Sequence, residues 1–389
     1  MHDYDVAVVG LGGHGSATVR ALARRGARVV GLERFAPAHA LGSSHGDTRI
    51  VRMAYFEHPD YVPLLRRSYE LWDELGAQVG SPLFVRTGAL MIGDERSAVV
   101  AGTLASTARW NLPHEVLDRA EMARRYPQFA LRPGEVAVHE VDAGYVSPEA
   151  AVRAHLDRAA ADGADLRFDT AVTGWRLEGN AVVVETADRR FRVRRLVLTA
   201  GAWMARLAPG LAIPLRVVRR VMHYLAPVTS AADFAPDRFP VFLFETDPGD
   251  EIYGFPVVGP PGSGVKIGFH HRGPQVDPDT VERLVSPAEE EEMRTLLAER
   301  IPGAAGPHVR SLVCLYTVTP DEHFVLDALP GTDGRVLIGS ACSGHGFKFT
   351  PVVGEVLAEL ALDGRTRQPI DFLSAGRFAG PLAGDLAGR

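Results

Sequence analysis

The chain has 389 residues, a formal net charge of −6 and two cysteines, Cys314 and Cys342. That length gives room for two or three domains with large cores, and the lack of a basic run excludes a nucleic-acid footprint. Two cysteines are too few for a disulfide framework, which fits a reducing compartment, and no apolar run reaches the roughly 18 residues of a membrane span.

The first strand is expected within a few residues of the N-terminus, which leaves no space for a signal peptide and makes a cytoplasmic location the expectation. From Asp5 to Glu33 a β-branched run, Val6 to Val9, leads into Gly10-Leu-Gly12-Gly13-His-Gly15. A helical segment from Ser16 follows, stopped by Gly26, and then a second buried strand, Arg28 to Leu32, ends at Glu33. In such a unit Gly10 permits a tight turn, Gly12 lets the main chain approach a pyrophosphate, and Gly15 lets helix and strand pack closely. The helix N-terminus faces the phosphates, and an acid about 20 residues on can accept a ribose hydroxyl. The stretch therefore reads as a dinucleotide site.

Phe35 to Ser44 reads as loop. In the segment Gly42 to Tyr55, His45, Arg49 and Arg52 fall at helical spacing, and on a helix Arg49 and Arg52 would share a face. Tyr61 to Leu75 reads as helix, Phe84 to Gly93 as strand and Glu95 to Trp110 as helix. Asp118 to Glu121 opens a short capped helix that ends before Pro127. Val136 to Val146 reads as strand and turn. Ser147, Pro148 and Glu149 make an N-cap, a first-turn proline and a first-turn acid for a helix running to about Ala161. Leu166 to Trp175, Ala181 to Thr186 and Arg195 to Ala200 read as strands.

From Pro214 to about Thr317 strands dominate: Leu215 to Leu225, Phe239 to Phe244, Ile252 to Val258, Val265 to His270 and Ser311 to Thr317. The helix expected there is Pro287 to Arg300. This texture suits a largely antiparallel sheet. Arg335 to Ser340, the glycine-rich turn to Gly346 and the helix Thr350 to Leu362 return to dinucleotide-domain material, so that domain is discontinuous. Among 42 basic residues only Lys266 and Lys348 are lysines. In a chain that otherwise writes arginine, they mark positions where a compact ammonium is needed and a planar guanidinium does not fit.

Three segments carry a family resemblance: Gly42-Ser-Ser-His-Gly-Asp-Thr-Arg-Ile-Val-Arg52, Val313-Cys-Leu-Tyr-Thr-Val-Thr-Pro-Asp-Glu-His-Phe324 and Ser343-Gly-His-Gly-Phe-Lys-Phe349. With Tyr253 to His271 in the expected place between them, the chain resembles, over nearly its full length, the monomeric sarcosine oxidase and N-methyltryptophan oxidase family of FAD amine oxidases. The resemblance implies a fold like that of D-amino-acid oxidase, of class α/β + α+β. A discontinuous Rossmann-like FAD-binding domain would comprise residues 1–81, 147–213 and 322–389. A mainly antiparallel substrate domain would comprise 82–146 and 214–321.

It further implies FAD held covalently by a thioether from Cys314, with Cys342 a small packed residue. Lys266 would stabilise superoxide as O2 is reduced, with Arg49 and His45 near the same flavin region. Arg52 and Lys348 would hold a substrate carboxylate, and Tyr253, His270 and Tyr316 would line the substrate site. Gly10, Gly12, Gly13, Gly15, Glu33, Ser43, Ser44, Thr48, Val172, Gly344, His345, Gly346 and Lys348 would serve the cofactor. The expected partners are a small secondary amine and O2, with the chain acting as a monomer. The stretches Met53 to His58 and Gly259 to Gly264 depart from the sarcosine-specific pattern and leave the substrate side chain open. Competing readings are a flavin oxidase of a cyclic imino acid or bulky amino acid in a biosynthetic pathway, a flavin-binding protein without turnover, and a dehydrogenase with a protein electron acceptor.

Overall fold

The computed structural model of the chain describes residues 3–378; residues 1, 2 and 379–389, assigned above to the FAD-binding domain, lie outside the described residues. The run Val6 to Val9 is buried throughout, as expected of a strand covered on both faces of a parallel sheet. Tyr4–Val9 pairs in parallel with Val29–Leu32 on one edge and with Arg190–Leu198 on the other, and Val29–Leu32 carries Asp165–Arg167. The far edge of Arg190–Leu198 is shared, first by Ala181–Thr186 antiparallel and then by Val336–Ser340 parallel. Segments distant in sequence thus complete one eight-stranded sheet.

Helix Gly13–Arg24 packs on this sheet between Pro148–Ala161 and Thr350–Asp363. Val19, Leu22, Val152, Leu156, Val353 and Leu357 fill the seams, each contributing on the order of 1.5–3 kcal/mol by burial. Gly354 sets the helix spacing: a Cβ there would lie 2.5 Å from the Ala17 carbonyl carbon.

A second eight-stranded sheet runs, in spatial order, His308–Val318, Arg216–Leu225, Val265–Phe269, Asp250–Val257, Val241–Asp247, Ala89–Asp94, Glu135–Glu140, Glu115–Leu117. Every pairing is antiparallel except that of Val241–Asp247 with Ala89–Asp94. Side chains alternate across it with period two. Phe242, Phe244, Ile252, Val265 and Ile267 pack into a core with Met293 and Leu297 of helix Pro287–Arg300. Leu243, Tyr253 and Phe255 face the other way, onto a cavity. No helix of the described residues is long and apolar enough to cross a membrane.

Several sequence expectations need correcting. Arg49 and Arg52 do not share a helical face: Arg49–Val51 is a strand, paired with Gly144–Val146 in a small third sheet. Gly46 and Asp47 take φ values of 93° and 65°, which no helix accommodates, and Ile50-Val51 suits a pleated strand. Phe84 to Gly93 is two strands, Phe84–Arg86 in the small sheet and Ala89–Asp94 in the large one, broken at Gly88 with φ 75°. Leu166 to Trp175 is likewise split, at Asp169 with φ 51°. Ser147 makes no side-chain cap, although Pro148 and Glu149 open the helix as expected. Glu149 instead accepts from the main-chain N–H of Gly46 (2.5 Å) and of Asp47 (3.3 Å). The short strands Glu115–Leu117 and Val325–Ala328 were not foreseen. The expected capped helix at Asp118 and the expected helix Pro287–Arg300 are both present, each opened by a capping box.

Candidate active site

One cavity of about 500 Å³ runs from the Gly10 turn to the face of the large antiparallel sheet. At its first end the wall is main chain. Gly10 has φ 90°, and a Cβ on it would meet the Thr199 carbonyl oxygen at 2.7 Å. A Cβ on Gly15 would lie 1.8 Å from the Gly10 carbonyl oxygen. Only two glycines let strand, turn and helix approach this closely. N-cap Gly12 supplies no side-chain cap to helix Gly13–Arg24, so the helix N-terminus is presented to the cavity that Gly12 and Gly13 line. Ser44 Oγ accepts from Gly13 N at 3.0 Å. Glu33, 5 % exposed, accepts from Leu11 N (2.7 Å) and Phe35 N (3.0 Å) and faces the cavity. Val172, Arg34, Phe35 and Trp203 close this end. The glycine turn, the helix terminus whose N-cap residue has no side chain, and the acid after the second strand together fit a dinucleotide.

In the middle, Ser43 and Arg49 reach the wall, while His45, Thr48, Lys266 and Cys314 form a buried layer behind it. Arg49 ties that layer together. Its Nη1 donates to the Thr48 carbonyl (2.8 Å), and its Nη2 donates to the Ser43 carbonyl (2.9 Å) and to Cys314 Sγ (3.4 Å). Burial pushes the Cys314 thiol up, against the pull of Arg49 and Lys266. Cys342, expected to be a small packed residue, stands on the cavity wall and is partly exposed. Lys266 Nζ donates to the carbonyls of Gly46 (2.7 Å) and Thr48 (2.6 Å) and to Thr48 Oγ1 (3.2 Å). Burial and Arg49 depress its pKa well below that of a free lysine, yet three oxygen acceptors call for the three N–H groups of an ammonium. Both ring nitrogens of His45 are buried without a hydrogen-bond partner. Burial and then Arg49 and Lys266 lower its pKa to about 3, so the ring is neutral.

At the far end the wall is side chain. Arg52, 2 % exposed, contacts both carboxylate oxygens of Glu57 at 2.6 Å and donates to the Ala54 carbonyl at 3.0 Å. Its guanidinium lies 4.5 Å from the Tyr55 ring centre and 4.6 Å from that of Phe56. Lys348 Nζ donates to the His345 carbonyl at 2.7 Å. Burial, reinforced by Arg52, lowers the pKa of Lys348 to about 7. Burial pushes the Glu57 carboxyl up, but Arg52, His345 and Lys348 outweigh it and hold it below the usual range. Tyr253, His270, Tyr316 and Gly344 complete the wall. A Cβ on Gly344, φ 80°, would meet the Tyr316 ring at 2.5 Å.

His345 Nε2 donates to the Glu322 carbonyl at 3.0 Å, which leaves Nδ1 to accept from the Tyr55 hydroxyl. Burial lowers its pKa to about 3, consistent with that neutral tautomer. Gly346 also lines the cavity, and a Cβ on it would strike the Ala341 carbonyl oxygen at 1.6 Å. Two participants escaped the sequence reading. Glu57 carried a signal, an acid five residues after Arg52. Arg220, which fixes the turn beside His270 by donating to the carbonyls of His270 (2.9 Å) and Arg272 (2.6 Å), carried none.

The FAD dependent oxidoreductase family model matches residues 5–360. A monomeric sarcosine oxidase of Streptomyces avermitilis is 42% identical over 376 residues, covering 97% of this chain and 98% of that protein. An N-methyl-L-tryptophan oxidase of Salmonella arizonae is 34% identical over 362 residues, covering 92% and 95% respectively. Among solved structures, the open form of NikD, described as an unusual amino acid oxidase essential for nikkomycin biosynthesis, superposes with a TM-score of 0.83. Its sequence is 26% identical, and the match covers 96% of this chain and 98% of that one. With its main-chain cradle for a dinucleotide at one end of the cavity and these matches over nearly its full length, the chain belongs to the FAD-dependent oxidoreductases, in the family of monomeric sarcosine oxidase and N-methyl-L-tryptophan oxidase.

Proposed function

We propose that the protein oxidises a carboxylate-bearing secondary amine, an N-methyl amino acid such as sarcosine or N-methyltryptophan. The products would be the amino acid, formaldehyde and hydrogen peroxide. The observation that carries this reading is the pair of buried cations in the far chamber: Glu57 is the acid that acts on both Arg52 and Lys348, while the buried Glu140 acts on Arg52 and already accepts from the main-chain N–H groups of Met53 and Ala54. A substrate carboxylate adds a negative charge beside Lys348, which has only Glu57 to offset burial and Arg52, and raises its pKa again as it binds. Two cations at fixed positions also orient the amine end of the substrate. The same positive field disfavours an ammonium, so the substrate amine is held in its neutral, reactive form. His270, whose pKa is driven well below the free value by burial and by His271, faces the substrate as a neutral ring.

FAD, when bound, supplies the two-electron acceptor and passes the electrons to O2. Gly10, Gly12, Gly13, Glu33, Ser43, Ser44 and Val172 would hold its dinucleotide portion, and Gly344 to Gly346 its other end. Cys314 would hold it covalently, and Thr48 and His45 would support that layer. Lys266 would provide a fixed positive charge for superoxide as it forms. The monomeric state and cytoplasmic location expected from the sequence belong to this proposal. In acid-precipitated protein the yellow colour should stay in the pellet, and in Cys314→Ala it should move to the supernatant. A panel of N-methyl and cyclic amino acids, read by peroxide and formaldehyde release, tests the reaction. The expected result is turnover of an N-methyl amino acid with both products, and anaerobic bleaching of the flavin by the same compound. Absence of bleaching by every carboxylate-bearing amine would overturn the proposal.

A further inference from the structure

Beside the far chamber, and outside the groups used above to bind cofactor or carboxylate, Glu251 and His271 meet His270. One ligand atom from each of the three lies within 4.8 Å of the others. The sheet register brings them together. Ile252 pairs with Phe269, and His270 N donates to the Glu251 carbonyl at 2.8 Å, so Glu251 and His270 are opposite one another on adjacent strands. Opposed residues of an antiparallel pair project to the same face. His271 then folds back as the strand ends, with its ring centre 4.5 Å from that of His270.

The carboxylate is the unusual member. Glu251 is 4 % exposed, and its Oε2 makes no hydrogen bond. Its nearest cationic partner is His271 Nε2 at 3.5 Å. A buried carboxylate oxygen whose one partner is a part-exposed imidazole at 3.5 Å is weakly held, which is costly and calls for an explanation. The neighbouring cations are engaged elsewhere. Arg220 donates to the carbonyls of His270 and Arg272, and Arg272 pairs with Asp250 and Glu292. The His271 side chain is 36 % exposed and gives a route in from solvent.

We propose that Glu251, His270 and His271 form a binding site for a divalent transition-metal ion of the zinc class. Two imidazoles and a carboxylate suit such an ion and leave further positions for water. Ligand atoms about 2.1 Å from a tetrahedral ion sit roughly 3.4 Å apart, so the three groups have only a short distance to draw in from their present spacing. Because His270 is also part of the cavity wall, an ion here ties that wall to a solvent-exposed ligand and lowers turnover. Metal binding itself stands independently of the proposed reaction; only the effect on turnover rests on it.

The test uses the FAD-loaded protein, stripped with chelator and titrated calorimetrically with zinc chloride. Cobalt(II) serves as a second probe, read by its ligand-field absorption at wavelengths beyond the flavin bands. One ion per chain is expected, with binding weakened about tenfold or more in His271→Ala and in Glu251→Gln. His271→Ala should keep its basal turnover and flavin content while losing zinc inhibition. Saturable binding of equal affinity in wild type and His271→Ala would overturn the proposal by placing the ion elsewhere, for example on Cys342, and so would the absence of one-to-one binding in the wild type. Because calorimetry does not depend on turnover, a failure here is distinguishable from a failure of the proposed reaction.

Discussion

At the Gly10–Gly15 end of the cavity the wall is main chain held by close packing, whereas at the Tyr253–Tyr316 end it is charged and aromatic side chains held by one another. At Gly10 and Gly15 the first end tolerates almost no added volume: the shortest hypothetical Cβ contact at each is with a fixed backbone atom. The second end is set by electrostatic balance, with Arg52 and Lys348 buried and Glu57 part-buried beside them. A site of the first kind fails by collision and one of the second by losing a partner charge.

The contrast can be broken most severely at Gly15. Gly15→Val should destabilise the protein by on the order of 4 kcal/mol or more, because backbone must move to admit the side chain. Flavin content of the purified protein and its melting temperature measure this. By comparison Gly12→Ala, whose Cβ would meet only Ser44 Oγ at 3.4 Å, should keep its fold. Equal melting temperatures for Gly15→Val and Gly12→Ala would contradict the collision argument.

At the other end, Arg52→Met should cost about 2–5 kcal/mol in binding of a carboxylate inhibitor, part of which is the penalty of leaving the part-buried Glu57 without its partner. Glu57→Gln in the same background should recover some of that loss, and titration of the flavin spectrum with inhibitor measures both. Lys266→Met sharpens the picture differently. It should slow reoxidation of reduced enzyme by O2 roughly 10²–10³-fold while leaving anaerobic reduction nearly unchanged. Lys266→Arg should restore only part of the rate, since a guanidinium spreads its charge over a plane. Stopped-flow measurement of the two half-reactions separates these outcomes, and slowing confined to the reductive half would move Lys266 to the substrate site.

The smallest effect is a pH dependence. Lys348 in the free enzyme has a pKa of about 7, so it is charged below that pH and neutral above it. Affinity for a carboxylate inhibitor that lacks an amine should therefore be full below pH 7 and decline by up to about tenfold per pH unit above it. The decline levels off at the higher pKa of Lys348 in the complex. Lys348→Met should bind weakly at every pH and lose this slope. An unchanged slope in the variant would assign the titration to another group.

The two ends also differed in how far the sequence disclosed them. Gly10, Gly12, Gly15 and Glu33 could be placed from spacing alone, because a turn and a helix N-terminus are local geometry. The buried strands around Val6 and Leu196 were equally legible from their continuous apolar runs. Arg49 and Arg52 were identified as residues but set on a helix, since spacing three apart says nothing about the positive φ of Gly46 and Asp47 that precedes them. Arg220 joins the site only through a turn 50 residues away, and the Glu251–His271 approach depends on strand register. Such contacts belong to tertiary structure and leave no local periodicity.

One attachment has an optical consequence. The main-chain carbonyl of Lys348 accepts from Ser68 Oγ (2.5 Å) and from Trp72 Nε1 (3.0 Å), and the indole of Trp72 is stacked on Phe347 with ring centres 6.2 Å apart. Trp72 is wholly buried, so no solvent relaxation masks the field it feels. The emission energy of an indole follows the electric field across its ring. A proton gained or lost at Lys348 should therefore shift the emission of Trp72, which would serve as a built-in probe of the charge on that lysine.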